Sequence, residues 1–122
     1  MATVKHGKIC YLFMPSQDVE RSGAFYRAVF DWNVRVRDDG SAAFDDSTGQ
    51  VSGTWVTDRP PATEGSLELH IMVDDLDRAI ASIRELGGSV DEADIHADDA
   101  RWAVFGDPDG NRLGIYEHPS GS

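Results

Sequence analysis

The stretch "DDLDRAIASIRELGGS", residues 74–89, has the pattern of an amphipathic helix with a defined beginning and end. Its apolar residues recur at helical spacing, Asp74 or Asp75 can cap the first turn, and Gly87-Gly88 can end the last one. The stretch "QDVERSGAFYRAVFDW", residues 17–32, has the same pattern 57 residues earlier. The chain therefore contains a duplicated unit. The residues predicted to face a core are Val19, Tyr26, Val29 and Phe30 in the earlier helix and Leu76, Ala79, Ile80, Ile83 and Leu86 in the later one.

An apolar strand precedes each helix, and short strands follow it. The preceding strands are "ICYLFMP", residues 9–15, and "SLELHIM", residues 66–72. After the helices, turn signals separate "WNVRVR", "SAAF" and "VSGTWV" in the first half and "SVDEADI", "RWAVF" and "NRLGIYE" in the second. The sequence predicts an α+β fold in which two tandem βαβββ modules form a curved mixed sheet around a cavity, with the helices outside.

The two halves are joined by "TDRPPATEGS", which has the Pro and Gly content of a linker. We expect module one over residues 5–57, the linker over residues 58–66 and module two over residues 67–118. A length of 122 residues suits one compact domain rather than two independent ones, so the whole chain, residues 1–122, is predicted to be a single domain.

Charge and cysteine content exclude several classes of partner. Asp and Glu outnumber Lys and Arg by 22 to 11, and the net charge of −11 would repel nucleic acid and anionic lipid. Cys10 is the only cysteine, so no disulfide is possible within the chain, and its apolar surroundings predict a buried packing residue. No apolar run is long enough to span a bilayer, and the first residues lack the apolar core of a secretory signal. We expect a cytoplasmic protein.

A mixed face is predicted on the strand within "LELHIMVDD", residues 67–75. Strict alternation places Leu67, Leu69, Ile71 and Val73 on the face expected to meet a hydrophobic core, and Glu68, His70 and Met72 on the other. The strands of both modules extend that second face into a cavity wall with aromatic and polar groups, as a small-molecule site requires. The predicted ligand-binding residues are Tyr11, Phe13, Trp55, Glu68, His70, Met72, Arg112 and Tyr116.

Each of these residues also has a purely structural interpretation. Glu68 and Arg112 can form an ion pair across the sheet, and His70 can be a satisfied interior histidine. Trp55 and Trp102 can be core or dimer-interface residues. For each residue alone the structural role is the commoner one, but their convergence on one face favours a ligand site.

Three motifs in order resemble the vicinal oxygen chelate superfamily, which includes glyoxalase I, bleomycin-resistance proteins and extradiol dioxygenases. They are "PSQDVERSGAFYRAVFDW", "VDDLDRAIASIRELGG" and "FGDPDGNRLGIYE", the last of which, with its Asp-Pro-Asp-Gly turn, is the most specific. The resemblance covers nearly the whole chain. It implies a cavity between the modules and, in metal-dependent members, a divalent ion held by His and Glu.

The resemblance places those metal ligands at positions that can be read from the sequence. The two His positions fall at Tyr11 and Glu68, the closing Glu falls at Gly114, and its counterpart in module one falls at Gly53 or Thr57. Only Glu68 can bind a metal strongly, and a single carboxylate cannot hold a catalytic ion. We therefore expect the usual metal site to be lost and predict no metal ligands and no cofactor.

The main functional prediction is a protein resembling bleomycin-resistance proteins that binds a small aromatic or cationic organic molecule. The family resemblance further implies a homodimer. The alternative is a divalent-metal-dependent lyase, isomerase or dioxygenase with non-standard ligands, or an enzyme with Glu68 and His70 as catalytic acid and base. A third possibility is an interaction module with a vestigial cavity.

Overall fold

The computed structural model describes residues 5–6, 9–63, 67–97 and 100–117. The chain divides into two compact units, Met1–Pro61 and Ala62–Ser122. Each unit contains one four-stranded mixed sheet and one α-helix, which confirms the α+β fold with two tandem modules. None of the helices in the described ranges is long and apolar enough to cross a membrane.

The first unit is built from five elements. Strand β1 pairs in parallel with β4, and β4, β3 and β2 continue the sheet with antiparallel pairing. The elements are β1 (Tyr11–Pro15), α1 (Val19–Phe30), β2 (Asn33–Val36), β3 (Ala42–Asp45) and β4 (Ser52–Val56).

An aromatic core joins helix α1 to one face of this sheet. The side chain of Asp18 caps the helix by accepting a hydrogen bond from the backbone N–H of Arg21. Tyr26 is fully buried, as the helical stripe predicted. Its ring packs against neighbours on the helix and on the sheet with centroid separations of 4.7 to 6.0 Å. These neighbours are Phe25, Phe30, Trp32 and Trp55.

The second unit repeats this order. Strand β5 pairs in parallel with β8, and β8, β7 and β6 pair antiparallel. Helix α2 buries Leu76, Ala79, Ile80 and Ile83, four of its five predicted core residues; Leu86, at the end of the helix, is exposed. The elements are β5 (His70–Val73), α2 (Leu76–Glu85), β6 (Ile95–His96), β7 (Trp102–Gly106) and β8 (Arg112–Glu117).

Three local predictions are wrong. Cys10 is exposed, because it precedes the edge strand β1. Leu67 is 86% exposed, because β5 begins only at His70. The predicted strand at residues 89–95 is mostly irregular: a single 3₁₀ turn, Glu92–Asp94, precedes the two-residue strand β6. Apolar composition alone overestimated the length of these strands.

A buried turn connects the beginning of the second unit to its last strand. Asp107 accepts hydrogen bonds from the backbone N–H groups of Asp109 and Asn111 and from the side-chain amide of Asn111. The amide oxygen of Asn111 in turn accepts from the N–H of Ala62 at 2.7 Å. Asn111 is 1% exposed, so its bonds are shielded from water. Gly110 adopts the positive φ of 90° that the turn requires.

Replacing Asn111 with alanine is expected to destabilise the protein by about 2 kcal/mol, because the N–H of Ala62 and the Asp107 carboxylate would lose buried partners. The free energy of unfolding from urea denaturation, followed by circular dichroism, tests this. Glu85→Ala is the control, since Glu85 is exposed at the end of helix α2, and a change within about 0.5 kcal/mol is expected. Equal losses in the two variants would contradict the role assigned to Asn111.

Candidate functional site

The register of the second sheet determines which side chains share its open face, the face opposite helix α2. His70 lies beside Gly114, and Met72 lies beside Tyr116 on the neighbouring strand. Tyr116 is in turn paired with Trp102 on β7, and Trp102 with His96 on β6. Because side chains alternate along each strand, the residues on this face include His70, Met72, His96, Trp102, Val104, Arg112, Gly114 and Tyr116.

A hydrogen-bonded pair occupies one edge of this open face. The Nε2 atom of His70 lies 2.8 Å from the Oε1 atom of Glu68, whose side chain reaches back from the segment before β5. The side chains are 33% and 44% exposed, so solvent and small molecules can reach both. A carboxylate bonded to one ring nitrogen orients the imidazole and selects its tautomer.

The imidazole of His70 lies against the backbone of Gly114. A Cβ atom added to Gly114 would be 2.5 Å from Nδ1 and 2.6 Å from Nε2 of the ring, distances that real Cβ atoms do not show. The ring therefore occupies the space that any side chain at this position would need.

Trp102 extends the aromatic surface between two imidazoles. The His96 ring stacks on it with a centroid separation of 4.1 Å and an interplanar angle of 20°. The His70 ring lies 5.6 Å away at 56°, so the two rings form a corner. Sequence reasoning placed neither Trp102 nor His96 at the site. The alternation of Trp102, Val104 and Gly106 indicates that these residues share a face of their strand. It places Trp102 at the site only once the pairing of β7 with β8 is known.

Arg112 has a different partner from the one considered in the sequence. Its Nη2 atom lies 3.6 Å from Oδ2 of Asp94, at the end of the 3₁₀ turn. The Glu68 carboxylate is instead bonded to His70. Of the remaining histidines, His6 and His96 are exposed, and His118 lies outside the described residues.

The first sheet exposes two of the predicted ligand-binding residues. Tyr11 and Phe13 are 44% and 60% exposed, and their rings meet edge to face at 5.7 Å. The guanidinium of Arg59 lies 5.4 Å from the centre of the Phe13 ring, within the range of a cation–π contact. The two aromatic residues alternate with Leu12 and therefore share one face.

Trp55 does not lie on the face of Tyr11 and Phe13, so that part of the prediction is wrong. The parallel register places it beside Met14, whose sulfur accepts a hydrogen bond from the indole N–H at 3.2 Å. It is 2% exposed and packs at 4.7 Å from Phe44 in the core under α1. On β4, Ser52 and Thr54 instead share the face of Tyr11 and Phe13, which is the open face of the first sheet, opposite helix α1.

A polar cluster around Asp45 covers another part of that open face. Its carboxylate accepts two hydrogen bonds from Arg35, at 3.0 and 3.1 Å, one from Ser52 at 2.6 Å and one from Asn33 at 3.2 Å. The bonds from Arg35 and then Ser52 lower the pKa of Asp45 from 3.8 to about 2. This cluster was not predicted, because its members come from three strands.

The first unit also contains a pocket of about 460 Å³ near the start of α1. Its carboxylates are already engaged: Asp39 accepts from Ser41, and Asp58 from Arg59. These bonds lower the pKa of both carboxyls. The lining residues are Val19, Asp39, Gly40, Ser41, Trp55, Val56, Thr57 and Asp58. Trp55 is the member of this lining that was predicted to bind a ligand.

The residues present do not fit the divalent metal of the superfamily. At the implied positions, Tyr11 and Gly114 replace two expected ligands, and Glu68 is already bonded to His70. Within the described ranges, no three His, Cys, Asp or Glu side chains converge in a way that could hold an ion. Whether the two modules share one cavity stays a prediction.

Residues 11–116 match the family model of the glyoxalase-like domain. The match spans most of the chain, and the protein belongs to this family. The resemblance to the vicinal oxygen chelate superfamily is therefore confirmed. No curated protein sequence matches the chain.

Solved structures of the superfamily have the same fold. A glyoxalase/bleomycin resistance protein/dioxygenase family enzyme from Burkholderia phytofirmans PsJN has a TM-score of 0.73 at 18% identity, covering 91% of this chain and 98% of that one. The fosfomycin resistance protein FosX from Mesorhizobium loti has a TM-score of 0.71 at 18% identity, covering 96% of each chain. A glyoxalase/bleomycin resistance protein from Streptomyces sp. CB03234 has a TM-score of 0.63 at 26% identity, covering 90% of this chain and 100% of that one. Low identities of this kind show a common fold rather than a common chemistry.

Asp45→Asn is expected to lower the free energy of unfolding by about 1–2 kcal/mol at pH 7. This is less than the full pKa shift implies, because the Arg35 side chain is half-exposed and solvent screens its charge. The pKa of Asp45 is depressed in the folded protein, so its contribution is present above about pH 4 and is lost as the pH falls towards 2. Urea denaturation at pH 7, 4 and 3 should show that the difference in the free energy of unfolding between the wild type and Asp45→Asn becomes smaller as the pH falls. Asp38→Asn, in the turn between β2 and β3, is the control. If the loss of stability in Asp45→Asn were the same at every pH, the role assigned to the Asp45 carboxylate would be wrong.

Proposed function

We propose that this protein binds a small aromatic or cationic organic molecule on the open face of its second sheet. The observation that carries the proposal is the Glu68–His70 pair, bonded at 2.8 Å and set beside the ring of Trp102. A partly exposed carboxylate next to an aromatic surface supplies both a charged anchor and a stacking surface. A planar aromatic cation would use both.

The shape of the face supports a planar ligand. The ring planes of His70 and Trp102 lie at 56° with their centroids 5.6 Å apart, so a third ring stacked on one of them would also contact the other. Met72, 59% exposed, provides an adaptable apolar wall beside Tyr116. Stacking on such a surface contributes about 0.5–1.5 kcal/mol per aromatic pair beyond the area buried.

The charge of the protein supports a cationic ligand. Among the described residues, the Glu68 carboxylate is bonded to one imidazole, and it keeps lone pairs for a ligand donor. The net charge of −11 also raises the concentration of cations near the surface.

A second candidate is an acid–base enzyme acting at the same place. The geometry in its favour is again the Glu68–His70 bond, since a carboxylate that orients an imidazole is a common arrangement for proton transfer. A substrate found for this protein would distinguish the two roles. If turnover survived both Glu68→Gln and His70→Ala, these residues would not be the acid and base.

Three probes test the binding proposal by calorimetry: 9-aminoacridine as a planar cation, 9-anthracenecarboxylate as a planar anion, and tetraethylammonium as a cation without rings. We expect the first to bind most tightly. Glu68→Gln and Trp102→Ala should each weaken its binding about tenfold, the equivalent of about 1.4 kcal/mol, because each removes one part of the recognition.

Glu85→Gln is the matched control, since it removes the same charge from an exposed position on α2. It should leave the affinity for 9-aminoacridine unchanged. Two results would overturn the proposal: no binding of any probe, or equal weakening by Glu68→Gln and Glu85→Gln.

A further inference from the structure

We propose that Gly114 is a positioning residue, whose missing side chain allows the His70 imidazole to lie flat on strand β8 and reach Glu68. This inference deepens the proposed function, on which its ligand-binding part rests. It assigns a role to a residue that carries no functional group of its own.

The first step is the contact itself. A Cβ atom at Gly114 would be within 2.6 Å of both ring nitrogens of His70. The ring could not keep its place beside any other residue, since ordinary carbon contacts begin near 3.5 Å. The position of the ring is in turn what brings Nε2 to 2.8 Å from Glu68 Oε1.

The second step is that the backbone conformation at this position does not require glycine. The φ angle of Gly114 lies outside the left-handed region, so its backbone suits an L-amino acid. Glycine inside a strand weakens the strand, and β8 is an inner strand, between β5 and β7. Strand stability therefore favours alanine at 114, and the three atoms nearest to a Cβ there all belong to the imidazole that opposes it.

Gly53 shows the opposite case in the first sheet. A Cβ atom there would be 2.6 Å from the backbone carbonyl oxygen of Leu12 and 2.8 Å from Cε1 of Phe44, and it would also overlap Cζ of that ring. Backbone and a buried ring cannot move aside cheaply, so Gly53 is required for folding. At Gly114 the obstacle is the end of a partly exposed side chain, which can rotate away.

Gly114→Ala should therefore fold as well as the wild type while separating His70 from Glu68. Nuclear magnetic resonance measures this directly in the full-length protein. The wild type should show a nuclear Overhauser effect between the His70 Hε1 proton and a Gly114 Hα proton. In the variant the His70 ring signal should shift, the His96 ring signal should change little, and the urea midpoint should not fall.

Binding of 9-aminoacridine provides the second measurement. Gly114→Ala should weaken it about tenfold in the wild type and leave it unchanged in a His70→Ala background, because the effect acts through His70. Gly106→Ala is the control: it is in the neighbouring strand β7, and its Cβ would meet only the Ser89 hydroxyl. It should leave the His70 signal and the affinity unchanged.

The outcomes separate this inference from the proposed function. Absence of the His70–Gly114 Overhauser effect, or an unshifted His70 signal in Gly114→Ala, would overturn the positioning role. Equal loss of affinity in both backgrounds would do the same. If the probe does not bind the wild type, the binding proposal fails, and the resonance measurements still decide the role of Gly114.

Discussion

Parallel pairing of the first strand of each module with its last strand is the constraint on which the rest of the structure depends. Strands β1 with β4, and β5 with β8, are far apart in sequence, and their register decides which side chains become neighbours. The pairing of His70 with Gly114 follows from it. A shift of one residue would turn His70 towards α2 and its apolar neighbours towards the open face. The candidate site therefore depends on the register of a single strand pair.

The elements that the sequence predicted correctly carry their signals locally. Asp18 and Asp75 each cap a helix within three residues, and the apolar stripe of α2 repeats within ten. The closing turn around Asp107 is equally local. These signals were sufficient for the fold class and the duplication.

The faces of strands were harder to predict because they depend on partners distant in the chain. Trp55 was placed on the open face, although Ser52 and Thr54 alternate with it and already indicated the reverse. Leu67 was expected in a core, but β5 begins three residues later. The neighbours of His70 could not be found from one strand, since Trp102 joins the site only through the pairing of β7 with β8 and β8 with β5.

The duplicated modules use the same topology for different surfaces. In the first, the carboxylate of Asp45 accepts hydrogen bonds from Arg35, Asn33 and Ser52, so these side chains satisfy one another. In the second, the carboxylate of Glu68 is bonded to one imidazole and remains partly open to solvent. A satisfied cluster mainly stabilises its sheet, whereas a partly satisfied carboxylate beside aromatic rings can still bind a ligand. This difference in unused bonding capacity is why the second sheet, rather than the first, is the better candidate for function.

The volume around position 114 limits which side chains can occupy this part of the second sheet. The resemblance places a carboxylate on the closing strand at 114, where this chain has glycine, and the imidazole of His70 fills the vacated volume. A carboxylate at 114 could not coexist with the ring in that place, because even its Cβ would overlap the ring. The Glu68–His70 pair and a ligand carboxylate at 114 are thus mutually exclusive occupants of the same space. Side-chain volume, as much as the loss of donor atoms, sets the chemistry that this face can support.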